Sequence, residues 1–234
     1  MDAQVKRELK QYSTAARAKA NAWYFKSGPG QYGAGDIFMG VSVPDQRKVA
    51  KHYYSNITLP EVLTLLSDPV HECRLTALFM LVYQFEKTTD EQTRKRIFEF
   101  YIKHRAYINN WDLVDSSASH IVGGYLHGKD AALLTKLAGS NSLWDRRIAM
   151  ISTLYEIVAG TPHEGLRIAT ILVNDRHDLI QKAVGWMLRE IGKRCGKDYL
   201  ISFLNTHYKT MPRTALRYAI ERLSPAERTH YMKK

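Results

Sequence analysis

The chain has 234 residues and an ordinary apolar share of 45%, which excludes a disordered protein and allows one large domain or an array of small repeats. Its 34 lysines and arginines against 23 acidic residues leave a net charge of +11, spread along the sequence, which points to a folded basic surface for DNA or RNA. No apolar run reaches the length of a membrane span, and the opening residues lack the hydrophobic region of an export signal. Cys73 and Cys195 stand alone, without zinc-ligand spacing. The expectation is a cytoplasmic protein with reduced, buried thiols, no metal and no membrane association.

Residues 4–24 are helical in pattern, with Val5, Leu9, Tyr12, Ala16 and Trp23 as inner positions. Residues 25–43 carry five glycines (Gly28, Gly30, Gly33, Gly35 and Gly40) and read as an irregular loop. It is not a phosphate-binding loop, because Lys26 precedes the glycines and no Gly-Lys-Ser/Thr follows. It reads as a packing loop, with a phosphate contact through Lys26 as the alternative.

After Pro44 the helices resemble one another. Arg74, Arg147, Lys182 and Arg213 recur at multiples of roughly 30–40 residues, the range of two-helix HEAT-like repeats. Segments 91–104, 131–138 and 198–208 would be outer partners. Ala77, Ala149, Ala183, Gly185 and Ala215 follow the basic positions and allow close helix packing. Stacked repeats would line the four bases along one concave face, a track for a phosphate backbone. Taken singly, each base reads equally as a solvated or ion-paired surface group.

The stretch Asn109-Asn110-Trp111-Asp112-Leu113-Val114-Asp115 fills the vacant repeat. Asn110 is a natural N-cap for a helix running on through Ser119 and Ile121. Trp111 and Asp115, four residues apart, share a face, whereas Asp112 lies about 100° round, in the first turn, and supports the helix start. An acid in a row of bases is a charge partner or the working group. Trp144 and Trp186 read as core by default, although Gly185 implies close approach of another helix or of a ligand.

The sequence resembles the AlkD-type alkylpurine DNA glycosylases, the HEAT-like-repeat family of DNA alkylation repair enzymes. The resemblance rests on Tyr32-Gly33-x-Gly35-Asp36-x-Phe38-x-Gly40-Val41, Trp111-Asp112-x-Val114-Asp115, Trp144-x-x-Arg147, Lys182-Ala183-x-Gly185-Trp186-x-Leu188-Arg189-Glu190 and the segment from Arg213 to Glu221. It covers nearly the whole chain. It implies an all-α, HEAT-like helical-repeat solenoid with a basic concave face that holds duplex DNA. The expected organisation is one monomeric domain over 1–234, with the N-terminal helix and Gly-rich loop in 1–43 and stacked helical pairs in 44–234.

Carried over by position, the resemblance makes Asp115 the catalytic carboxylate, Trp111 and Trp186 the lesion and sugar contacts, and Arg147 the active-site arginine. The repeat pattern adds Lys182, Arg213 and Arg74 as phosphate contacts. The implied reaction is excision of cationic N3- and N7-alkylated purines from double-stranded DNA, with no metal, no cofactor and no base pocket. Two other readings share part of the pattern. A non-catalytic DNA-binding or damage-sensing module has no use for an acid among phosphate-facing bases, and a scaffold for protein partners has no use for a basic face.

Overall fold

The computed structural model describes residues 1–233, and among them helices follow one another without a strand, the one β-bridge joining Ile37 to Val70. The all-α architecture of stacked helical pairs expected from the sequence is therefore present. The chain divides into two compact units, Met1–Ile121 and Val122 onward.

The first unit contains α1 (Asp2–Gln11), α2 (Ala15–Tyr24), α3 (Val43–Tyr53), α4 (Leu59–Leu66), α5 (His71–Lys87), α6 (Glu91–His104) and α7 (Trp111–Asp115). At its centre is α5, packed by α3, α4, α6 and α7. Seventeen residues long, α5 is buried nearly all round, from Leu75 through Val82, which is why its sequence shows little amphipathic stripe. Local chemistry sets the helix starts. Ser42 caps α3 ahead of Pro44, Thr58 and Glu61 form a capping box on α4, and Asp90 caps α6.

Two expectations change here. The N-terminal helical pattern is two helices, because Thr14 turns out of α1 and caps α2 by accepting from the Arg17 amide at 3.3 Å. Val5 and Leu9 are core, but Ala16 is exposed and Trp23 is 74% exposed. The break is held by the Gly-rich loop. Gly40 has φ +84°, and a Cβ there would lie 2.1 Å from the Thr14 carbonyl oxygen. The Glu72 carboxylate anchors the same turn by accepting from the amides of Met39 (3.0 Å), Gly40 (2.8 Å) and Val41 (3.3 Å). Gly40→Ala is expected to lower stability by at least about 2 kcal/mol, read from urea unfolding, since it adds both strain and a clash with backbone. A wild-type midpoint would mean that the loop moves away without penalty.

The helix at Asn110 is also shorter than expected. It ends at Asp115, and a π-helical turn, Ser119–Gly123, carries the chain from the first unit into the second. Ser117 Oγ donates back to the Leu113 carbonyl at 2.6 Å and also meets the Tyr101 hydroxyl at 3.0 Å, so a side chain competes with the helical ladder there.

The second unit contains α8 (Gly124–Leu126), α9 (Ala132–Ala138), α10 (Leu143–Ser152), α11 (Leu154–Val158), α12 (His163–Leu172), α13 (Asp178–Arg194), α14 (Lys197–His207), α15 (Arg213–Ala219) and α16 (Pro225–Met232). Here the central helix is α13, also seventeen residues, packed by α10, α11, α12, α14 and α15. The close approach implied by Gly185 is that of a helix: a Cβ would meet the Ala215 carbonyl of α15 at 2.4 Å. Both cysteines are free thiols; Cys73 is buried, but Cys195 is only half-buried.

Candidate active site

Asn110 is fully buried and joins two structures. Its Oδ1 accepts from the Trp111 amide at 2.8 Å, starting α7, while its Nδ2 donates to Asp36 Oδ2 in the Gly-rich loop at 3.0 Å. Gly33 lets the loop come this close, since a Cβ there would sit 2.4 Å from the Phe25 carbonyl and 3.2 Å from Asn110 Nδ2. Leu113 and Val114 enter the core of the first unit, which turns Trp111 and Asp115 together to the half-exposed edge of α7. Near that edge lies buried Tyr101, whose phenol is pushed up in pKa first by burial and then by the charge of Asp115.

Trp111 is fixed by aromatic contacts. It stacks on Phe25 (5.2 Å, 24°) and meets Tyr24 edge-on (5.8 Å, 74°), while Phe25 stacks in turn on Phe38 (5.4 Å, 13°). A cavity of about 480 Å³ opens beside the indole, walled by Tyr24, Phe25 and Trp111, with Arg17, Asn21 and Asp112 also on its lining.

Asp112 does more than support the helix start. It is 8% exposed; Oδ1 accepts from the Leu113 amide at 2.9 Å, and Oδ2 lies 2.7 Å from His71 Nε2. The other ring nitrogen of His71 lies 3.0 Å from Asp36 Oδ2. Arg74 completes the cluster. Only 6% exposed, it donates to Asp36 Oδ1 at 2.5 Å and to Asn109 Oδ1 at 2.8 Å. Its charge is paired with a buried carboxylate.

The titration of this cluster follows from its contacts. Burial alone would raise the Asp36 pKa, but the hydrogen bond from His71 and the charge of Arg74 outweigh it and hold the carboxyl below its ordinary value. Burial likewise opposes charge on His71, yet the charge and hydrogen bond of Asp112, with the bond from Asp36, push its pKa up to about 9.

The remaining candidates lie in the second unit. Arg147, on α10, is 5% exposed and donates to the Leu179 carbonyl in the first turn of α13. Lys182 and Trp186 stand one turn apart on α13, both partly exposed, with Lys182 paired to Asp178 at 2.9 Å. Arg213 opens α15, is exposed, and donates to the Met232 carbonyl at 3.0 Å. The four recurring bases are thus not equivalent: two are buried and two reach solvent.

The sequence profile described as DNA alkylation repair enzyme matches residues 5–223. The chain belongs to the AlkD-type DNA alkylation repair family. Solved structures share its HEAT-like helical-repeat fold. One is described as a predicted DNA alkylation repair enzyme from Enterococcus faecalis, at 15% identity and TM-score 0.68, covering 91% of this chain and 97% of that one. Another is AlkD2 from Streptococcus mutans, at 17% identity and TM-score 0.57, covering 92% and 99%. No curated protein matches. At the level of the family, the function is DNA alkylation repair.

In this AlkD-type chain, sequence reasoning missed the set Asp36, His71, Asn110 and Asp112. The residues lie in separate stretches of the sequence. Asp36 is a lone acid within a Gly-rich loop, and His71-Glu72 follows an Asp-Pro helix entry, but neither spacing says that they meet.

Proposed function

We propose that the protein is a DNA N-glycosylase that hydrolyses the glycosidic bond of cationic N3- and N7-alkylated purines in duplex DNA. The observation that carries this reading is the pairing of Trp111 and Asp115 on the half-exposed edge of α7, in a member of a DNA alkylation repair family. An alkylated purine of this kind already bears positive charge, so no acid is needed to expel it. As the bond from C1′ to nitrogen breaks, its electron pair neutralises the base and leaves an oxocarbenium-like sugar. A fixed carboxylate stabilises that charge more in the transition state than in the ground state. Asp115, ionised, takes this role and aligns the water whose oxygen bonds to C1′ and whose proton leaves to the carboxylate or solvent.

Trp111 offers a π face to the sugar, and its stacking on Phe25 keeps it from swinging away. Trp186 is assigned the same kind of contact, and Arg147, Lys182 and Arg213 the phosphates; Arg74 is left out because its guanidinium is paired with the buried Asp36 carboxylate. No cofactor enters the scheme. Incubation with a duplex carrying 7-methylguanine is expected to release the free base, with duplex affinity that falls steeply as salt rises. Tight, salt-dependent binding without base release would instead make the protein a damage-binding module.

A further inference from the structure

His71 is 2% exposed, and both of its ring nitrogens face carboxylates, Asp112 at 2.7 Å and Asp36 at 3.0 Å. An ionised carboxylate only accepts hydrogen bonds, and a neutral imidazole donates from one nitrogen, so two such contacts need an imidazolium donating from both. Each carboxylate already accepts other donors: Asp36 from Arg74 and Asn110, Asp112 from the Leu113 amide. The ring is flanked by Phe25 and Phe38, each with its centroid 4.9 Å away, whose π faces partly offset the cost of burying a cation. From its own helix it faces Arg74, whose Nη2 is 3.5 Å from Nδ1, while Glu72 points away to the amides of residues 39–41. The imidazolium therefore ties the Gly-rich loop to the first turn of α7.

We propose that His71 is a positioning residue of this site: as an imidazolium shared by Asp36 and Asp112, it holds the first turn of α7 and so fixes Trp111 and, one turn on, Asp115. Its effect on excision rests on the glycosylase reading; the clamp itself does not. The clamp has a direction in pH. With a folded pKa raised to about 9 from an ordinary 6.5, His71 remains charged through neutral pH and releases α7 only as pH rises through about 9.

Nitrogen-15 NMR of the imidazole, followed from pH 6 to 10 alongside the Trp111 indole N–H resonance, tests the clamp in the wild-type protein. Both ring nitrogens are expected to be protonated at pH 7, and the indole resonance to shift with the same midpoint as the ring. His71→Gln, which removes the charge and one of the two bonds, is expected to slow single-turnover excision between about ten- and a hundredfold, with duplex affinity unchanged within about twofold. Wild-type excision is expected to fall above about pH 9, and the residual rate of the variant to show no such fall. A neutral ring at pH 7, an indole that ignores the histidine titration, or wild-type excision by a folded His71→Gln protein would each overturn the proposal. If the variant does not fold, the two wild-type titrations decide. If the wild-type protein releases no base, the glycosylase reading falls, and the same titrations still decide the clamp.

Discussion

Asp115→Asn is expected to lower single-turnover base excision by roughly one to three orders of magnitude, with duplex affinity unchanged or slightly higher. Asparagine keeps the shape and the hydrogen-bonding reach of the side chain and removes only the negative charge. If that charge stabilises an oxocarbenium-like sugar, its loss appears in the chemical step. Affinity does not suffer, because a group that repels phosphate has gone. Asp115 sits at the half-exposed end of α7, outside the buried cluster, so the folded protein is expected to retain its melting temperature within a few degrees. A variant whose activity falls only in proportion to lost folded protein would make Asp115 a structural group. Single-turnover rates, duplex affinity and thermal melting on one preparation separate the two cases.

Asp36→Asn is expected to destabilise the protein by about 3–5 kcal/mol at pH 7, measured by chemical denaturation. Its side chain is 3% exposed and accepts from Arg74, His71 and Asn110. Removing the charge leaves two buried cations facing one remaining carboxylate, Asp112, and an uncompensated buried charge is far costlier than a lost surface pair. The pH dependence of the wild-type protein has two limbs. The folded Asp36 pKa lies below its ordinary value of 3.8, so its contribution is present above that value and lost as pH falls through the lower, folded one. The folded His71 pKa lies above its ordinary value, so its contribution is complete below about 6.5 and lost as pH rises through about 9. Stability is therefore expected to be greatest between these limbs. A loss under about 1 kcal/mol in Asp36→Asn would show that water enters and solvates the cluster.

The same geometry changes what Asp112 is expected to do. As a helix-start group it would contribute about 1 kcal/mol. As the buried partner of His71 its neutralisation belongs with that of Asp36, as an effect on stability and, through α7, on excision.

Much of the helical content was legible in the sequence because it is set by neighbours along the chain. Asp90 before an amphipathic run gives α6 the bounds expected for it, Glu91–His104. The spacing of Trp111 and Asp115 fixes their shared edge on any helix, whatever packs behind it. The Gly185 register required close packing, and α15 supplies it. What the sequence could not determine was which faces meet water and which meet an opposite charge. Arg74 has the same local surroundings as the other recurring bases, yet Asp36, thirty-eight residues away, turns it inward. Trp23 has the apolar character of a core residue, but Thr14 breaks the helix ahead of it and the Gly40 backbone occupies the turn, so its face is left in solvent. His71 becomes charged only because two carboxylates, thirty-five and forty-one residues distant, close on it from opposite sides. Periodicity is a short-range property of the backbone, whereas the charge state of a buried group depends on whatever the tertiary fold brings within hydrogen-bonding distance.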